Sequence, residues 1–221
     1  DSVAKTTTVY FYGETQKEAD DGATSEDAMT RSDTYKTTDI DDVNRDPVVV
    51  GVDENLDGDF DDSLDTKPNT PNLSSETFYK QDKGDEIADF TYNYQTGTLT
   101  IKSTSVFFYN PLGTQEGLQR AEDANTDASM ARSLAFKGVK ATNLTFYDYV
   151  DTNDPPDGVK DTVVLLEKKA LTSETFYYGT LKGEEIAHYA YNYSTKKNDA
   201  KEYVDSVAKT TTVYFYGETQ K

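Results

Sequence analysis

The chain of 221 residues carries 41 acidic against 22 basic side chains, a formal net charge of −19, and no cysteine. So negative a surface repels nucleic acid and anionic membrane and attracts metal cations, while the missing cysteines exclude disulfide staples and thiol chemistry. Hydrophobic residues make up only 35%, but 17 Tyr and 10 Phe bury large areas each, enough for two modules of about 100 residues with modest cores.

Residues 1–17 recur letter for letter as residues 205–221. Within that segment Thr6, Thr7, Thr8, Val9, Tyr10, Phe11 and Tyr12 are β-branched or aromatic and Gly13 ends the run, which predicts a strand over 6–12. Val9 and Phe11 share one face and Tyr10 and Tyr12 the other, so both faces are apolar and the strand is expected inside a sandwich instead of on a wet edge. The same reading predicts a strand over 210–216, with Val213, Tyr214, Phe215 and Tyr216 in the corresponding places. A first residue of Asp instead of Met is expected of a processed form or an excised fragment, and no signal peptide or membrane-spanning run is visible.

Further strands are predicted over 48–52, 76–80, 87–94, 99–102, 104–109, 144–150, 162–166, 174–178 and 185–193, separated by Gly, Asn, Asp and Pro clusters. Residues 25–36 and 126–137 carry Ala, Met and Arg, and a short helix is expected in each. The fold class is therefore all-β, built from short strands as in jelly-roll or Ig-like sandwiches.

A diverged internal repeat sets the organisation. Ser75, Glu76, Thr77, Phe78 and Tyr79 return as Ser173, Glu174, Thr175, Phe176 and Tyr177, and Ile87, Ala88, Tyr92, Asn93 and Tyr94 return as Ile186, Ala187, Tyr191, Asn192 and Tyr193. Met29, Arg31 and Ser32 return as Met130, Arg132 and Ser133, and the opening strand returns as Val106, Phe107, Phe108 and Tyr109. This predicts two tandem homologous β-sandwich modules, 1–102 and 103–204, followed by a linking or donor strand over 205–221. Two modules with three opening strands leave one surplus. It is 213–216 if each module keeps its own strand, or 7–12 if each borrows the next, and another copy of the protein is expected to satisfy it.

Asp53, Asn55, Asp57, Asp59, Asp61 and Asp62 surround Gly58 with oxygen donors on alternate residues, a spacing that can wrap a Ca²⁺ ion. The spacing resembles the calcium loops of EF-hands, dockerins and thrombospondin type 3 repeats. It departs from them at the last ligand, where Leu64 stands and Asp62 or Asp65 is the substitute. The corresponding stretch of the second module offers Asp151, Asn153, Asp154, Asp157 and Asp161 around Gly158, with two prolines inserted. Acidic turns that use Asp and Asn for tight geometry remain the alternative for both loops. Asp39, Asp41, Asp42 and Asp46 form a weaker third cluster.

No Ser–His–acid set, phosphate loop or zinc pattern can be assembled, and His188, the single histidine, reads as a sheet residue. The stripes Phe90, Tyr92, Tyr94 and Tyr189, Tyr191, Tyr193 read as cross-strand packing, with glycan stacking as the alternative use. Asn72, Asn143 and Asn192 match the glycosylation acceptor pattern.

Repetition, acidity, calcium-type loops and lack of cysteine together resemble the tandem β-sandwich repeats of large calcium-dependent surface adhesins. The surplus strand resembles those of donor-strand polymers: pili, TasA-like biofilm fibres and the archaeal tubes called cannulae. These resemblances imply a non-enzymatic structural protein, extracellular or at the cell surface. Its cofactor would be Ca²⁺ and its partners other copies of itself, head to tail. Glycans are the partner class of the adhesin alternative, and neither nucleic acid nor membrane insertion is expected.

Overall fold

The computed structural model describes residues 5–46, 70–110, 117–150 and 162–217. Eleven strands are named among them: β1 Thr7–Tyr12, β2 Met29–Tyr35, β3 Leu73–Lys80, β4 Ile87–Tyr94, β5 Ile101–Asn110, β6 Ser129–Lys137, β7 Tyr147–Val150, β8 Thr162–Leu165, β9 Leu171–Tyr178, β10 Ile186–Ser194 and β11 Val207–Val213. The fold is all-β, with a nine-stranded sheet in the order β1-β2-β3-β4-β5-β6-β9-β10-β11 and a two-stranded sheet of β7 and β8. The register pairs are antiparallel throughout. No described helix is long and apolar enough to cross a membrane.

Three predictions are corrected. The segments expected to be helical are the strands β2 and β6. Ala, Met and Arg are good helix formers, but intrinsic propensity is a weak prior, and strand partners on both edges override it. The strand β1, expected to be covered on both faces, lies at an edge of the sheet: Val9 and Phe11 are buried while Tyr10 is about half exposed. The predicted strands 99–102 and 104–109 are one continuous strand, β5. The expected strand 48–52 lies outside the described residues.

The residues group into two compact units, one of Asp1–Phe78 with Tyr92–Lys102 and the other of Tyr79–Thr91 with Ser103–Lys221. In the first, Val9, Phe11, Tyr35 and Leu73 form the core, with Val43 and Tyr94 packed against it. Gly13 ends β1 with a positive φ of 68°, which lets its N–H reach the Ala28 carbonyl at 2.9 Å while the Gln16 N–H turns back to the Gly13 carbonyl at 3.1 Å.

The second unit has two clusters. Val106, Phe108, Leu134, Phe136 and Leu171 from the large sheet meet Phe146, Tyr147 and Leu165 from the β7–β8 ribbon and the turn before it, so this part is two layers deep. Ile87 and Tyr109 pack against Ala121, Ala124 and Ala128 of the loop before β6. Burying each such aliphatic or aromatic side chain contributes roughly 1.5–3 kcal/mol, so these clusters outweigh any single polar contact.

Registers repeat with the sequence. Phe11 faces Arg31 and Arg31 faces Phe78 on β1, β2 and β3; Phe108 faces Arg132 and Arg132 faces Phe176 on β5, β6 and β9. Each arginine lies over aromatic rings, Arg31 at 3.9 Å from the Phe11 centroid and Arg132 at 4.4 Å from that of Phe176.

Candidate assembly strand

The two copies of the terminal segment take different conformations. In the first, residues 7–12 form β1 and pair with β2, Thr7 opposite Tyr35, Val9 opposite Asp33 and Phe11 opposite Arg31. In the second, the strand covers 207–213 instead of the expected 210–216, beginning four residues and ending three residues earlier in the shared sequence than β1, because here it pairs with β10, Thr211 opposite Tyr191 and Val213 opposite Tyr189. Val9 is 7% exposed and its twin Val213 is 51% exposed; Phe11 is 8% exposed and Phe215 is 65%. Tyr214 and Tyr216 are also exposed. Identical residues therefore form a core in one place and an apolar edge in the other, and among the described residues β1 and β11 are the two edges of the large sheet. An apolar edge strand offers its backbone groups and its side chains to another chain.

The tail beyond β11 is nonetheless held. Tyr214 N–H donates to the His188 carbonyl at 3.1 Å and Tyr216 Oη donates to the Ala187 carbonyl at 2.8 Å. Beside it a cavity of about 230 Å³ is lined by Tyr178, Ile186, Ala187, His188, Tyr214 and Tyr216. His188 is an exposed strand residue set edge-on to Tyr178 and Tyr189, as its place in the sequence predicts.

Buried carboxylates anchor the strands behind these edges. Asp33 on β2 is fully buried; Arg31 Nε lies 3.1 Å from its Oδ1, Arg45 contacts it, and Tyr35 Oη donates to it at 3.3 Å. Arg45 and Tyr94 both reach Glu76. Desolvation pushes the Asp33 carboxyl up to about 6, against the pull of Arg31 and Arg45 and with the push of Glu76. In the second unit Glu174 accepts from Arg132 at 3.2 Å, Tyr147 at 2.9 Å and Tyr193 at 3.1 Å. Burial raises the phenols of Tyr94, Tyr147 and Tyr193, so all three remain hydrogen-bond donors at neutral pH.

The aromatic stripes are engaged in cross-strand packing. Phe78 meets Tyr92 edge-on at 5.9 Å, Phe176 stacks on Tyr189 at 4.4 Å and meets Tyr191 at 5.6 Å. The six acidic-loop residues Asp53 to Asp62 and the five from Asp151 to Asp161 lie outside the described residues. Among the described residues no group of three or more His, Cys, Asp or Glu is arranged to hold a metal ion. Asp39 instead accepts from the Asp41 N–H at 3.1 Å, the local turn-making use of an acidic cluster.

Sequence reasoning missed the set in which the exposed Arg45 reaches the buried carboxylates of Asp33 and Glu76. Its signal was an arginine retained among so many acids, but the pairing spans distant residues and leaves no local pattern. No protein-family model, curated protein or solved structure matches the chain.

Proposed function

We propose that this chain is a non-enzymatic structural subunit of an extracellular filament, tube or tandem array. Its two homologous modules are joined to neighbouring copies head to tail by strand complementation, and its acidic loops bind calcium. The observation that carries this reading is the difference between the twin segments: Val9 and Phe11 sit in a core while Val213 and Phe215 stand exposed at a sheet edge. An exposed apolar edge is a liability in a lone molecule and a joint in a polymer.

Calcium would neutralise crowded carboxylates and fix the loops, adding stability because it binds the folded state. The tyrosine stripes support this structural reading over glycan binding, since their rings and hydroxyls are taken up by Phe78, Phe176, Glu76 and Glu174. Light scattering and electron microscopy of the chain with calcium and with excess EGTA test the proposal: elongated assemblies are expected with calcium, and a chain that remains single at every concentration overturns it.

A further inference from the structure

The strand β5 shows what the repeated segment becomes when it has a neighbour on each side. It lies between β4 and β6, runs ten residues, and buries Val106, Phe108 and Tyr109. Aligned on its Val-Phe-Phe-Tyr, those ten residues correspond to 208–217 of the second terminal copy. That copy has the neighbour corresponding to β4, which is β10, but among the described residues none corresponding to β6; it stops being a strand at Val213. The first copy has the neighbour corresponding to β6, which is β2, and among the described residues none corresponding to β4. Each copy holds half of the β5 arrangement.

One contact shows that the second copy is already seated as β5 is. Tyr109 Oη donates to the Ala88 carbonyl at 2.5 Å on β4, and the matching Tyr216 Oη donates to the matching Ala187 carbonyl at 2.8 Å. What it lacks is a cover. Ile87 is buried beneath Ala121, Ala124 and Ala128 of the loop leading into β6, whereas its counterpart Ile186 is exposed beside the cavity of about 230 Å³. The loop leading into β2, residues 18–28, holds the corresponding place in the first half of the chain, with Asp20, Ala23 and Asp27 at the positions of Ala121, Ala124 and Ala128.

We propose that residues 211–216 of one copy displace residues 7–12 of a second copy from β2, making one continuous strand between the donor's β10 and the acceptor's β2. This rests on the assembly reading above and gives it a direction: the second terminal copy donates and β2 accepts. Because the displaced and incoming sequences are identical, every contact with β2 is reproduced, Val213 opposite Asp33, Tyr214 opposite Ser32 and Phe215 beneath Arg31. Those contacts cancel. The gain comes from Ile186, Tyr214 and Tyr216, which the acceptor's 18–28 loop shields from water at the join, chiefly through Ala23 and the stems of its longer side chains, since Asp20 and Asp27 stand where the loop before β6 has Ala121 and Ala128. In this account β1 is a placeholder that keeps a single chain folded and must leave before the chain is extended.

The test uses Thr8 and Thr34, whose hydroxyl oxygens lie 3.2 Å apart across β1 and β2, in a chain without cysteine. The oxidised double variant T8C/T34C fastens β1 to β2. It is expected to remain single while the reduced form of the same protein assembles like the parent chain. As a second measurement, T34C and T212C chains are mixed and oxidised, and a disulfide between copies is expected. If the oxidised double variant assembles as readily as the reduced one, or the mixed variants assemble without cross-linking, strand displacement is wrong and the assembly reading survives. A parent chain that never assembles overturns both.

Discussion

Phe11 and Phe215 occupy the same position of the same seventeen-residue sequence, yet Phe11 is 8% exposed with Arg31 at 3.9 Å over its ring, and Phe215 is 65% exposed. Sequence identity here fixes the choice of possible partners, and the neighbouring strand decides which contact is made.

The first prediction separates the two. Phe11→Ala opens a core position, and urea denaturation should show a loss of about 3 kcal/mol, the low end for a buried aromatic because β1 is an edge. Phe215→Ala should change the stability of the single chain by less than about 0.5 kcal/mol and abolish or strongly slow assembly. Equal effects of the two on unfolding would contradict the difference in burial.

A pH dependence follows from Asp33, whose carboxyl is raised to about 6 by burial, facing Arg31, Arg45, Glu76, Tyr35 and Tyr94. Its folded value lies above the unfolded one, so the folded state holds the extra proton between about pH 4 and 6. Its contribution is present in full below about pH 4 and is lost as pH rises through 6. Relative to Asp33→Asn, the parent chain should lose on the order of 2 kcal/mol across that window. Parallel stability–pH curves for the two proteins would show that Asp33 titrates normally.

In the second unit the corresponding position is Leu134, and the remaining carboxylate, Glu174, is held by Arg132, Tyr147 and Tyr193. Removing the arginine leaves a buried charge whose side-chain donors among the described residues are the phenols of Tyr147 and Tyr193. Arg132→Ala should therefore cost about 3–5 kcal/mol, and Tyr193→Phe about 1.5–3 kcal/mol for one hydrogen bond to a charged group. Thermal and urea unfolding measure both. Should Arg132→Ala prove milder than Tyr193→Phe, the guanidinium is not what compensates Glu174.

Calcium provides a further prediction resting on the two acidic loops, Asp53 to Asp62 and Asp151 to Asp161. At a concentration one hundred times its dissociation constant, an ion bound by the folded chain adds about 2.7 kcal/mol. Differential scanning calorimetry should show the melting temperature falling in EGTA and recovering on adding calcium back. An unchanged melting temperature would leave the loops as acidic turns.

Much of this architecture is legible in the sequence. Strands β3, β4, β9 and β10 follow from dense β-branched and aromatic residues bounded by Gly and Asp, and the repeat announces that Phe78 and Phe176 play the same part. The strands β2 and β6 are not legible, because β2 reads Met-Thr-Arg-Ser-Asp-Thr-Tyr and its buried Asp33 looks like a surface charge until Arg45 and Glu76 are brought to it by the fold. The different bounds of β1 and β11, four residues apart at the start and three at the end, are beyond any local reading, since the two segments are the same string. Only the strand beside each, β2 or β10, distinguishes them.

The central claim is that the second terminal segment joins one copy to the next. The most direct measurement is the assembly of the chain ending at residue 204, followed by light scattering and electron microscopy in calcium beside the full chain. The account predicts a folded protein that stays single where the full chain elongates. Elongation of the shortened chain at the same rate and to the same form would contradict it.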